Sequence, residues 1–238
     1  MPEVSHSELL GGMKTLDDLY AVGRVGIYGY TGTGKSNHAK YVYHGTSLHA
    51  LCINPTAKTL GGHRFEDAAK WRGLLAKGVP RCELAVGEFS TPAEINEKLE
   101  VIKRAIVEIG TGLQPDMARD APAWLLIVAE EVHKYCPQPS TAANFMRWVL
   151  AEGRKYGVRC ILSSQKPQKV DKECLDQADY TVMYQLQNVG PARLRYLADY
   201  AIPYDEFSHV FKEPYHHVLI RNGAWLHCKP VPNMDGVR

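Results

Sequence analysis

Two short stretches of this chain carry residue types that can do chemistry. The first, Gly29-Tyr30-Thr31-Gly32-Thr33-Gly34-Lys35-Ser36, satisfies G-x-x-x-x-G-K-[ST] at every specified position. The spacing suits a loop that wraps a phosphate. Consecutive backbone N–H groups must curl inward, which needs glycines tolerant of positive φ. Lys35 then reaches the β- and γ-phosphates, and the Ser36 hydroxyl ligates Mg²⁺. All eight residues are therefore candidate nucleotide-binding residues. The second stretch is Glu130-Glu131, at the end of the apolar run WLLIVA over residues 124–129. At the end of such a strand the first carboxylate reaches Mg²⁺, usually through water. Its neighbour faces the γ-phosphate and positions or deprotonates a nucleophile. Ser36 and Glu130 are thus the expected metal pair, and Lys35 and Glu131 the expected catalytic pair.

The elements that must position these groups follow from pattern. Residues 24–28 read as a short buried strand before the loop, and residues 36–43 as a helix whose N-terminal dipole adds positive charge beneath the phosphates. Residues 48–53 form a continuous apolar run, as a buried parallel strand requires. A helix is expected over 65–76 and a strand over 82–86. Thr91-Pro92-Ala93-Glu94 is a strong helix start, and Ile95, Leu99, Ile102, Ile106, Ile109 and Leu113 repeat at helical spacing. Gly110-Thr111-Gly112 is expected to end that helix, and a loop to run on to Pro122. Residues 140–156 read as helical, with Ala142, Met146, Val149, Gly153 and Tyr156 on one face, and 159–163 as a short strand. Residues 175–186 carry a short helix and a strand over 180–184, and a helix covers 191–200. Asn222-Gly223 between two strand-like runs is a hairpin signal. This alternation predicts an α/β fold, with a mostly parallel central sheet, helices on both faces and a C-terminal β-hairpin. Residues 1–22 read as an N-terminal extension, and 23–238 as a single domain.

Composition sets bounds. The chain has 238 residues, 45% hydrophobic and 23% charged, with a formal net charge of +2. No apolar run approaches the roughly 20 residues needed to cross a bilayer, so the protein is not expected to be transmembrane. The N-terminus has no secretory pattern, which favours a protein that stays where it is made. Cysteines at 52, 82, 136, 160, 174 and 228 have no C-x-x-C pairing, which argues for reduced thiols over zinc sites or a disulfide framework. His216 and His217 alternate across a strand, so with His227 and Cys228 they read as structural. The near-neutral charge neither demands nor excludes a nucleic-acid partner.

Residues 125–133, LLIVAEEVH, resemble the D-E-A-H stretch of the HerA/FtsK superfamily of ATP-driven motors. Residues 152–167, EGRKYGVRCILSSQKP, resemble that superfamily's G-R-x-x-G segment, next strand and terminal Q-[RK]-P. Residues 177–195 resemble its final strand and following helix. The resemblance implies a RecA-like P-loop NTPase that hydrolyses ATP with Mg²⁺. It places Glu130 where the family usually has an aspartate one methylene shorter, and Glu131 at the catalytic glutamate. It gives Gln165 the role of γ-phosphate sensor and Arg154 that of an arginine reaching a neighbour's site, with Arg147 and Arg159 as substitutes. It also implies a ring-shaped homo-oligomer on double-stranded DNA. If the protein is a translocase, Lys58, His63, Arg64, Lys70, Arg72, Lys166 and Lys169 are candidate backbone contacts, though such residues more often only solvate a surface. A bare motor of this size resembles the genome-packaging ATPases of membrane-containing icosahedral viruses. That implies capsid-vertex or internal-membrane partners and a place in the host cytoplasm or virion. A HerA-like helicase or conjugation ATPase is the near alternative. A P-loop small-molecule kinase, with Arg193 and Arg195 as lid arginines, or a nucleotide-dependent switch are alternatives of another class.

Overall fold

A computed structural model describes residues 23–55, 60–87, 90–113, 121–137 and 145–236. The predicted extension over 1–22, Lys58 and Ala142 therefore lie outside the described residues. Strand β1 (Arg24–Tyr28) sits among eight others: β2 (His49–Ile53), β3 (His63–Phe65), β4 (Arg81–Leu84), β5 (Leu125–Ala129), β6 (Val158–Ser164), β7 (Tyr180–Met183), β8 (His217–Arg221) and β9 (Ala224–Cys228). Their order is β3-β4-β2-β5-β6-β1-β7-β8-β9. Pairing is parallel from β3 to β7, and β8 and β9 join antiparallel.

The apolar runs become central strands because each strand must feed two cores. In β5, Leu125, Ile127 and Ala129 join one cluster while Leu126 and Val128 join the other. In β2, Leu51 and Ile53 part from Ala50 and Cys52 in the same way. The first face is covered by helices α2 (Ala68–Ala76), α3 (Pro92–Leu113) and α4 (Phe145–Glu152), through residues such as Trp71, Leu99 and Met146. The second is covered by α1 (Lys35–Gly45), through Ala39, Val42 and Tyr43. Helix α5 (Lys172–Asp176) leads to β7, and α6 (Pro191–Ala198) and α7 (Tyr204–Phe207) enclose a third cluster with Tyr28, Met183 and Trp225. All six cysteines are buried and unpaired by disulfide.

Three local expectations are corrected. The helix expected from Phe65 starts at Ala68, because Asp67 caps it by accepting from Lys70 N at 2.8 Å, and residues 63–65 pair with β4 as an edge strand instead. Gly110 and Gly112 do not end α3, which runs to Leu113. A Cβ on Gly110 would meet Tyr156 Cβ at 2.8 Å, so the glycine serves close packing rather than termination. The helix expected to run to Tyr156 ends at Glu152 and tightens into a 3-10 turn over Gly153–Tyr156. The capping box and the hairpin form as expected. Thr91 N donates to Glu94 Oε2 at 2.7 Å while Glu94 N donates to Thr91 Oγ1 at 3.3 Å. Asn222 and Gly223 turn with φ of 49° and 80°, the signature of a primed hairpin turn.

Candidate active site

Parallel strands deliver their C-terminal ends to one edge of the sheet, where open α/β folds hold ligands. The register of β1 matches Tyr28 with Ser164 of β6 and Met183 of β7. The loop after β1, the carboxylates after β5 and Gln165 after β6 therefore converge. Within the loop, Gly32 and Gly34 take φ of 86° and 104°, and Gly34 caps α1 from the left-handed region. A Cβ on Gly29 would come within 2.5 Å of Tyr184 Cβ, so only glycine lets the loop rest on the end of β7. Tyr30 N donates to Gln185 O at 2.9 Å and Thr33 Oγ1 to Tyr30 O at 2.8 Å, which ties the loop down.

Lys35 is buried, with Nζ 3.4 Å from Tyr30 O. Burial lowers its pKa, against the raising charges of Glu131 and Glu130. The Ser36 hydroxyl donates to Glu130 Oε2 at 3.2 Å. Burial pushes the Glu130 carboxyl above its ordinary range, with the charge of Lys35 among the opposing effects. Glu130 Oε1 is buried with no hydrogen-bond partner among the described residues. A hydroxyl and a carboxylate meeting at this distance, with a spare buried acceptor for a metal-bound water, fit a hard cation such as Mg²⁺.

Glu131 is 8% exposed and adopts φ 48°, ψ 45° as β5 gives way to a 3-10 turn. A non-glycine residue held there costs about 1–3 kcal/mol, and such strain concentrates at functional sites. Its Oε1 accepts from Gln165 Nε2 at 2.7 Å, and Gln165 Oε1 accepts from Thr31 Oγ1 at 2.7 Å. Its Oε2 lies 3.2 Å from His133 Nδ1, which in turn is 2.9 Å from Ser164 Oγ. Ser164 Oγ also accepts from Lys166 N at 3.0 Å. Burial lowers the His133 pKa, against the pull of Glu131. A connected chain thus runs from the phosphate loop through Gln165 to the expected base. Two members, His133 and Ser164, carried no assigned role in the sequence. The spacing of His133 two residues beyond Glu131, on a turn, was the available signal.

Arg154 is not brought to this edge. It precedes β6, beside Asp179 at the opposite end of the sheet, and its charge helps hold that carboxyl low. Burial raises the Asp179 pKa, but hydrogen bonds and charge from Arg24, with Arg154 adding, bring it below the ordinary value. Arg147 pairs with Asp171 at 2.6 Å, and Arg159 is buried against the carbonyls of Val158 and Ala121. Of the other basic candidates, Arg72 is tied to Glu108 at 2.5 Å. No helix among the described residues is long and apolar enough to cross a membrane.

The fold, with its phosphate loop after β1 and a mostly parallel sheet, is that of the P-loop NTPases. No protein-family model matches the chain. Among solved structures it is similar to the genome packaging NTPase B204 from Sulfolobus turreted icosahedral virus 2 in complex with AMPPCP. That likeness has a TM-score of 0.64 at 16% identity and covers 88% of this chain and 98% of that one. It is also similar to the cytoplasmic domain of the type VII secretion ATPase EccC of Thermomonospora curvata, with a TM-score of 0.56 at 14% identity over 90% of this chain and 26% of that one. In sequence, 87 residues are 30% identical to a probable helicase of Methanocaldococcus jannaschii, covering 36% of this chain and 17% of that protein. These likenesses carry the fold. The mostly parallel sheet, the helices on both faces and the C-terminal hairpin agree with it.

Proposed function

We propose that this protein hydrolyses ATP to drive double-stranded DNA through a homo-oligomeric ring, and that its task is packaging a viral genome into a capsid. The observation that carries the hydrolytic part is Glu131, held by Gln165 in the same hydrogen-bonded chain as Thr31 of the phosphate loop. A site that transfers phosphate to a small molecule has to exclude water. A carboxylate held beside the phosphate loop supports the hydrolytic reading, in which it accepts a proton from water.

In this reading Glu131 takes a proton from the attacking water as its oxygen bonds to the γ-phosphorus and the bond to the bridging oxygen of ADP breaks. Lys35 and the loop N–H groups hold the charge that gathers on the phosphoryl and leaving oxygens. Gln165 fixes the rotamer of Glu131 and senses the γ-phosphate through Thr31. Ser36 and Glu130 would hold Mg²⁺, which when bound neutralises charge on the β- and γ-oxygens.

The packaging role is supported by the span of the likeness to B204, nearly all of which this chain covers. It carries with it the DNA track, the ring, a capsid-vertex or internal-membrane partner and a place in host cytoplasm or virion. The test is the steady-state ATPase rate with and without linear double-stranded DNA, with Lys35→Ala as blank. A rate well above the blank that DNA stimulates is expected. Turnover indifferent to DNA, in protein concentrated enough to assemble, would overturn the translocase reading. Transfer of phosphate to a small acceptor in place of water would favour the kinase alternative.

A further inference from the structure

The sequence shows no residue that reads a nucleobase, but the C-terminal tail folds back toward the phosphate loop. After β9 the chain is clamped to the first turn of α1 by one side chain. Asn37 Nδ2 donates to Pro232 O at 2.9 Å and Asn37 Oδ1 accepts from Met234 N at 2.8 Å. Between tail and loop lies a cavity of about 330 Å³, lined among others by Gly34, Asn37, Tyr215, Val231 and Asn233. That volume lies at the small end of ligand pockets, roughly 300–1,000 Å³. Neither Glu131 nor Gln165 borders it.

Tyr215 is the unusual wall. It is 58% exposed and holds φ of 62°, a left-handed conformation that a bulky aromatic adopts only when its surroundings impose it. Its ring stands over Gly34, whose added Cβ would lie 3.4 Å from Tyr215 Cδ1. The direction of the bound phosphates selects the occupant. With Lys35 at the β/γ end and Glu131 read as facing the γ-phosphate, the base of a bound triphosphate belongs on the side of the loop that Glu131 does not border, where Gly34 and the first turn of α1 line the cavity. That turn carries Asn37, and the cavity opens there.

We propose that this cavity holds the nucleobase of the bound nucleoside triphosphate, stacked on the Tyr215 ring, with the Asn37-clamped tail as its outer wall. The inference rests on reading the loop as a nucleotide site. A flat π-surface beside polar tail groups is what a base uses, since base–aromatic stacking is sequence-tolerant and strong.

The test compares AMPPCP with inorganic triphosphate, which has phosphates and no base, by calorimetric titration of the full chain. Wild type is expected to bind AMPPCP more tightly than triphosphate. Tyr215→Ala reduces that preference by about tenfold or more, and Tyr215→Phe restores it. Retained triphosphate binding in Tyr215→Ala shows that the variant is folded. A preference untouched by Tyr215→Ala, or a loss shared equally by both ligands, overturns the proposal. If Lys35→Ala weakens neither ligand, the phosphate-site reading fails instead.

Discussion

Gln165 Nε2 donates to Glu131 Oε1 at 2.7 Å, linking the turn after β5 to the turn after β6 at the mouth of the phosphate loop. The bond leaves Glu131 held by two neighbours, Gln165, whose other end Thr31 fixes, and His133, which faces the second carboxylate oxygen. Glu131→Gln preserves shape and removes the base. It is expected to lower single-turnover hydrolysis by about 10²–10⁴-fold while nucleotide affinity persists. Gln165→Ala, which frees the rotamer of an intact base, should fall between that variant and wild type. Glu131→Gln cleaving within an order of magnitude of wild type would remove Glu131 from the mechanism.

The two glycines late in α3 separate packing from backbone entropy. At Gly112 an added Cβ meets nothing within 4 Å, so Gly112→Ala should stabilise the protein by about 0.5–1 kcal/mol. At Gly110 the added Cβ meets Tyr156, and Gly110→Ala should cost about 1–3 kcal/mol. Urea unfolding reads both. Destabilisation by Gly112→Ala would contradict a helix that continues to Leu113.

His217 is fully buried, its ring centroid 5.0 Å from that of His38 and 5.1 Å from that of Tyr184. Burial drives its pKa from the ordinary 6.5 down to about 4, with His216 and His227 adding repulsion and the Tyr215 carbonyl opposing. The folded state therefore holds His217 neutral where the unfolded chain protonates it. Its stability contribution is complete above pH 6.5 and falls as pH drops toward 4, by about 1.4 kcal/mol per unit and ~3 kcal/mol in all. His217→Phe keeps a ring in place and should flatten the stability–pH curve across that window. An unaltered slope would refute the assignment.

Arg154 precedes β6, whose seven residues end at Ser164 beside the loop. At about 3.3 Å per residue this separates Arg154 from the site of its own chain by ~20 Å. If it acts at all on nucleotide, it acts on a neighbour's. Arg154→Ala alone is then expected to lose activity, and mixing it with excess Glu131→Gln protein, which supplies an intact Arg154 to its site, should bring it to the level of wild type mixed with the same excess. A deficit that persists in the mixture would make Arg154 a structural residue of the Asp179 corner.

What the amino-acid order determined by itself is what depends on neighbours along the chain. The phosphate loop was legible because positive φ demands glycine and the Lys–Ser pair must follow at once. Glu130-Glu131 was legible because an apolar run of six residues leads straight into two carboxylates. The Thr91 capping box and the Asn222-Gly223 turn are equally local. Tertiary structure decided what meets across long separations. Thr31 finds Gln165 over 134 residues and Asn37 clamps Met234 over 197, and no local pattern encodes either distance. The role of Gly110 was hidden for the same reason, because a glycine near a helix end looks like a terminator until Tyr156 is placed against it. The strained Glu131 and Tyr215 belong here too, since only surrounding contacts can hold a side-chain-bearing residue in the left-handed region.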